Sequence, residues 1–171
     1  MNVFQTASVF GMTSWLLRGV VMSIVQIAAR FILGAFIISS PLSKTPATWV
    51  TIAIVIVVAI VWGGIDGIRD AKAHSDPDDY EDLTVRWLKA GLLAGFVSCL
   101  VSYIVGTAGW LNGIGQASFP IEIIAGTSFV ALLVFVPAFF GVSMGRIIIR
   151  REQRKAEEAA EAQTTQLPVA S

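Results

Sequence analysis

Charge is the first thing this sequence lacks. Lys, Arg, Asp and Glu make up 14% of its 171 residues, where roughly 25% is usual in a soluble globular domain. With 55% apolar residues and a mean hydropathy of +0.74, water cannot solvate such a surface, and an ordinary soluble domain is excluded. A bilayer can solvate it. Histidine and cysteine are scarce too, with one of each. The single thiol, Cys99, makes no intrachain disulfide or metal site, and within an apolar run it reads as a small buried hydrophobe. No Walker loop, dinucleotide fingerprint, nucleophile–base set or metal-ligand cluster occurs. No enzymatic activity, cofactor or metal is therefore expected. The formal net charge is +0, and nucleic acid is not an expected partner.

What the sequence does have is apolar length. Four runs, at about 15–40, 46–68, 85–110 and 121–146, each reach the ~20 residues that a helix needs to cross the hydrocarbon. The expected fold is all-α: a polytopic membrane protein whose transmembrane domain, residues 14–151, is a four-helix bundle. Pro41 closes the first run, and Thr45 before Pro46 reads as an N-cap with proline at the first helical position. The second run is rich in β-branched residues, yet its length favours a membrane helix over a buried strand. Pro120 leads into the fourth run, and Pro137 inside it should kink that helix. Residues 1–13 carry no charge and lack the basic n-region of a secretory signal. They read as an interfacial segment or as an upstream extension, with Met12 the initiator. Residues 152–171 form a charged tail, in which RIIIRREQRKAEEAAEAQ continues the fourth helix into water and the final TTQLPVAS is disordered.

Lys and Arg placement gives the orientation. Arg146, Arg150, Arg151, Arg154 and Lys155 gather after the fourth run, and Arg69, Lys72, Arg86 and Lys89 flank the polar hinge between the second and third. The first loop has only Lys44 and the third has none. The positive-inside rule therefore puts both termini and the 69–84 hinge in the cytoplasm of a plasma-membrane protein.

The hinge, GGIDGIRDAKAHSDPDDYEDLTVRWLK, holds Asp66, Asp70, Asp76, Asp78, Asp79, Glu81 and Asp82. Asp76 before Pro77 reads as an N-cap, with Asp78 and Asp79 in the first turn of a helix, where its dipole favours acids. An EF-hand loop would need a glycine and a terminal Glu that are missing. His74 reads as a lone, solvated side chain, and Asp66 as a membrane-edge partner of Arg69. The basic part of the tail can hold anionic lipid head groups.

Small residues four apart recur as Gly63/Gly67, Gly91/Gly95 and Gly141/Gly145, the spacing that lets membrane helices approach closely. Tight packing of the second, third and fourth helices is one reading; a glycine-lined substrate path or a homodimer seam is another. The first and third runs also align without gaps, Trp15 on Trp87 and Gly19 on Gly91, while Gly63 and Gly67 correspond to Gly141 and Gly145. That pattern fits a tandem repeat of a helical hairpin, or merely the ease with which apolar helices match.

Arg30 is the outlier. It lies on the order of 18 Å beyond Arg18 along a helix, at a depth where a charge costs about 2.5 kcal/mol or more. Gln26 is one turn below it on the same face. Glu122 is its partner if it reaches outward, and Asp66 if it reaches inward. Arg30 is then either a substrate or anion contact, or half of an interhelical pair.

With SWLLRG, WGGIDGIRD and DPDDYEDLTVRWLKAG in view, the chain resembles the actinobacterial four-helix membrane proteins termed bacterial four-TM drug/metabolite-transporter-like, or B-4DMT, over about 14–151. The resemblance implies an inner-membrane location and small-molecule export. Small multidrug exporters use a glutamate in the first helix to exchange protons for cationic drugs, whereas here the first run has Arg30 and Gln26 and no acid. An anionic or neutral substrate is therefore favoured over a cationic one. The expected function is a small transporter, as a homodimer or part of a larger complex in the lipid bilayer. The alternative is a non-catalytic accessory or scaffold subunit, with the acidic hinge and basic tail as docking surfaces.

Overall fold

The computed structural model describes residues 3–74, 76–109 and 117–166, the side chains of 3–13, 77 and 164–166 excepted. Its elements are α1 (Val3–Ser39), α2 (Lys44–Ala73), α3 (Leu83–Thr107) and α4 (Thr127–Gln166). A π-helical stretch, Ile121–Gly126, leads into α4, and 3-10 turns form at Pro41–Ser43 and Pro77–Asp79. No strand occurs among the described residues. Four segments, Ser14–Ser39, Pro41–Ala73, Leu83–Thr107 and Ile121–Gln163, are long and apolar enough to cross a membrane. The fold is an all-α bundle of four membrane-spanning-type helices.

Several boundaries differ from the sequence reading, each for a local reason. The capping position of α2 is Ser43, with no side-chain cap bond, because a 3-10 turn delivers the chain directly into the helix at Lys44. Pro46 still falls in the first turn, where its missing N–H has no helical partner to lose. The cap of α3 is Asp82, whose carboxylate accepts from Val85 N at 3.2 Å. Asp76 instead fixes the 3-10 turn by accepting from Asp78 N at 3.0 Å. The chain leaves α3 through Gly109 at φ +71°, a left-handed conformation that favours glycine. The tail is helical to Gln166, so the start of TTQLPVAS continues α4. Residues 1–2, 75 in the hinge, 110–116 at the third loop and 167–171 lie outside the described residues.

The core is built from small side chains. Ala59, Ala90, Ala94, Ala138 and Val134 are wholly buried, alongside Met22 and Trp87. The outside is apolar: Ile24, Ile32, Val57, Leu132 and Phe140 are all exposed, which suits a surface facing lipid. The most extensive helix pairs are α2 with α4 and α1 with α3.

Glycine sets the closeness of the first pair. A Cβ on Gly63 would lie 2.9 Å from Ala138 Cα, and one on Gly67 2.9 Å from Val142 Cα. In return, a Cβ on Gly141 would lie 2.9 Å from Gly64 N, and one on Gly145 2.9 Å from Ile68 N. These contacts are reciprocal. Gly63 meets the Ala138 carbonyl as Gly141 meets that of Ile60, and Gly67 meets the Val142 carbonyl as Gly145 meets that of Gly64. Laying Gly63 on Gly141 and Gly67 on Gly145 thus exchanges the two halves of the contact, the hallmark of a two-fold, isologous interface. Gly91 and Gly95 hold α3 against α4, their Cβ positions 2.8 Å from Ala131 O and 2.5 Å from Thr127 O. All six glycines face a neighbouring helix of the same chain. The α1–α3 pair lacks the same reciprocity: Gly19 meets the side chain of Leu93, and Gly91 meets α4.

Candidate functional site

Three arginines of the bundle pair with carboxylates on other helices. Arg30 of α1 meets Glu122 of the π-helical stretch, Nη1 to Oε1 2.7 Å. Arg18, three turns earlier in α1, meets Asp66 of α2, Nε to Oδ2 2.7 Å. Arg146 of α4 meets Asp70 of α2, its Nε donating to Oδ2 at 2.9 Å. Of the two partners foreseen for Arg30, the one near the opposite end from the hinge is in place. Asp66 goes to Arg18 rather than to Arg69 or Arg30, because α1 and α2 bring those side chains level near the hinge.

The Arg30–Glu122 pair stands beside a cavity of about 200 Å³ between α1, α2 and α4. Apolar groups form most of its wall: Ile52, Val55, Phe129, Val130 and Leu133. Its polar groups are Gln26, Arg30, Thr48 and Thr51. Gln26 is 4% exposed, and its amide Nε2 has no hydrogen-bond partner. An amide donor left so in apolar surroundings costs about 1–3 kcal/mol. Arg30 keeps a quarter of its side chain exposed, at 25%, against 13% for Glu122. Its Nη2 reaches Cys99 Sγ at 3.5 Å. Gly126 makes room here, since a Cβ on it would fall 2.8 Å from that sulfur and 3.8 Å from Glu122 Oε1. The π-helical winding that carries Glu122 is a form often found at functional positions. Trp87 Nε1 and Thr127 Oγ1 are further buried polar atoms without partners.

At the other end the hinge is docked. Asp70, 6% exposed, accepts from Glu81 N at 3.1 Å as well as from Arg146. Arg146 also donates to the Glu81 carbonyl at 2.8 Å. The guanidinium groups of Arg146 and Arg150 lie 4.7 and 4.9 Å from the Tyr80 ring centroid, and Arg150 Nε donates to the Tyr80 hydroxyl at 3.1 Å. Glu81 pairs with Arg86. His74 is not alone, since its Nδ1 lies 3.3 Å from Asp70 Oδ1. The hinge is thereby fastened to α4 by charge and by cation–π contact. Asp70→Asn weakens the charge-assisted bonds that do this, each worth about 1.5–3 kcal/mol. Backbone amides of residues 78–82 should then exchange with solvent faster by roughly ten- to a hundredfold. Unchanged exchange would show that Asp70 does not hold the hinge.

The sequence reading had singled out Arg30, Gln26, Glu122 and Asp66. The fold brings the first three together and puts Asp66 in a separate pair near the hinge. Arg18, Asp70, Arg146 and Tyr80 were missed as partners. Only the clustering of opposite charges at the hinge hinted at them, and clustering does not specify pairing. No protein-family model matches the chain, and no curated protein matches it.

Proposed function

We propose that the protein is a small transporter of the drug/metabolite type, carrying a neutral or anionic molecule through the cavity between α1, α2 and α4. The observation that carries this reading is a cavity of about 200 Å³ between three membrane-type helices, which Arg30 and Gln26 help to line. The Arg30 guanidinium has donors only, so a guest that meets it supplies acceptors. The acid nearest the cavity, Glu122, already holds Arg30, which leaves a cationic guest without an unshared carboxylate. In this reading the protein lies in the plasma membrane with both ends and the hinge cytoplasmic, following its Lys and Arg distribution.

Purified protein in proteoliposomes should move such a molecule faster than protein-free liposomes do. Thr51→Trp, which fills the cavity from α2, and Gln26→Leu, which removes the amide, should each lower the flux at least tenfold while the bundle stays folded. Flux that ignores both substitutions would overturn the reading. A second reading, the accessory or scaffold subunit, draws support from the docked hinge, which presents exposed Asp76, Asp78 and Asp79 on a fixed surface. It predicts co-purification of a stoichiometric membrane partner, lost when those three acids are replaced by serine.

A further inference from the structure

We propose that the protein holds one anionic phospholipid on the outer face of α2, with its phosphate at Arg69 and an acyl chain along the apolar stripe that ends there. A groove of about 570 Å³ runs down this face, lined by Val57, Val58, Val61, Trp62, Ile65 and Arg69. Val57, Val61 and Ile65 are exposed. Trp62 is half-buried, and its ring stands edge-on to that of Trp87 with centroids 6.1 Å apart. The helix rises about 18 Å from Val57 to Arg69, a little over half of a hydrocarbon core that is ~30 Å thick. A chain whose head group rests at Arg69 therefore follows the whole stripe to about mid-bilayer.

Arg69 also lines a second, more polar space of about 270 Å³ toward the hinge, together with Arg18, Asp66, Asp70, His74 and Glu81. The two spaces meet at its side chain. Every carboxylate of the polar space is already engaged: Asp66 by Arg18, Asp70 by Arg146 and Glu81 by Arg86. Arg69 is the exception among these arginines. It is exposed, and its side chain makes no ion pair or hydrogen bond with any described residue. Lys72, exposed one turn further on, lines neither space. An uncompensated guanidinium at the end of an apolar stripe suits a phosphate, which it can meet with two N–H groups at once. The ammonium of a zwitterionic head group would find only acids that are already held, so an anionic lipid is favoured. This site is separate from the cavity between α1, α2 and α4, and it holds whether or not the protein transports anything.

The test is native mass spectrometry of the full-length protein released from bilayers of phosphatidylglycerol and phosphatidylcholine in equal parts. The expected spectrum retains one phosphatidylglycerol, preferred about fivefold over phosphatidylcholine, which is the effect of one cation at a membrane surface. Arg69→Gln should remove the preference and Arg69→Lys should keep it. Val61→Trp, which fills the groove, should lower the retention of both lipids. Glycerol 3-phosphate, a head group without chains, should not displace the lipid. Arg151→Gln/Arg154→Gln, at exposed positions of the tail, should leave the preference unchanged. Equal retention of the two lipids would overturn the proposal, as would a preference that survives Arg69→Gln or one that the tail variant abolishes. So would undiminished retention in Val61→Trp, or displacement by glycerol 3-phosphate.

Discussion

Adding a single methyl group at Gly141 or Gly63 is expected to cost about 3 kcal/mol or more of stability, while the same change at Gly64 leaves the bundle intact. The atoms in the way are backbone. At Gly141 a Cβ meets the carbonyl of Ile60 and, at 2.9 Å, the nitrogen of Gly64; at Gly63 it meets the carbonyl and Cα of Ala138. A flexible side chain can rotate away from such a clash, but helix backbone can yield only by separating α2 from α4. Overpacking costs of 1–3 kcal/mol are typical of cores that can adjust, and this contact falls at or beyond their upper end. At Gly64 the nearest atom is Gly141 O at 3.6 Å, an ordinary contact. There the gain of about 0.5–1 kcal/mol in helix propensity on replacing glycine by alanine should survive. Thermal unfolding in detergent compares the three variants. Equal melting temperatures for Gly63→Ala and Gly64→Ala would show that the α2–α4 approach is looser than described.

The second large effect concerns the Arg30–Glu122 pair. Arg30→Met or Glu122→Leu alone leaves one charge in the bundle without its partner, which is expected to cost about 3–5 kcal/mol. The double variant Arg30→Met/Glu122→Leu removes both charges and should recover most of that loss. The coupling energy from the cycle, the double variant's loss minus the sum of the two single losses, would then be about 5 kcal/mol or more in magnitude, far above the 0.3–0.5 kcal/mol scatter expected of independent sites. Additive losses would mean that the two side chains do not depend on each other. The double variant would also be stable but unable to take an acceptor-headed guest, which separates the pair's contribution to folding from its role at the cavity.

The spans were legible because apolar length is a strong signal: four runs of it correspond to four helices. Glycine spacing was legible in the same way, since Gly63/Gly67 and Gly141/Gly145 recur at one helical turn and lie on facing surfaces. Arg30 stood out because a mid-span charge is costly, and its partner was narrowed to two acids. Geometry then selected Glu122. What the sequence did not carry was pairing across distance. Nothing local to Asp66 says that Arg18 rather than Arg69 reaches it, and nothing local to Tyr80 says that Arg146 and Arg150 flank its ring. The unsatisfied amide of Gln26 was equally hidden, because a missing partner exists only once the helices are assembled. The cap of α3 shifted to Asp82 because the 3-10 turn at Pro77–Asp79 used the residues that would have capped it earlier, while His74 meets Asp70 one turn back in α2.

The central claim, that the space beside Gln26 and Arg30 is a conduit and not a packing defect, is tested most directly by chemical access to Thr51. In a Cys99→Ala background, a cysteine at position 51 is exposed to a membrane-impermeant thiol reagent added to one face of sealed proteoliposomes and then, separately, to the other. A transporter that opens its cavity alternately to the two sides predicts labelling from both faces. Labelling from neither face, or from one face only, would contradict it and leave the bundle as a static membrane scaffold.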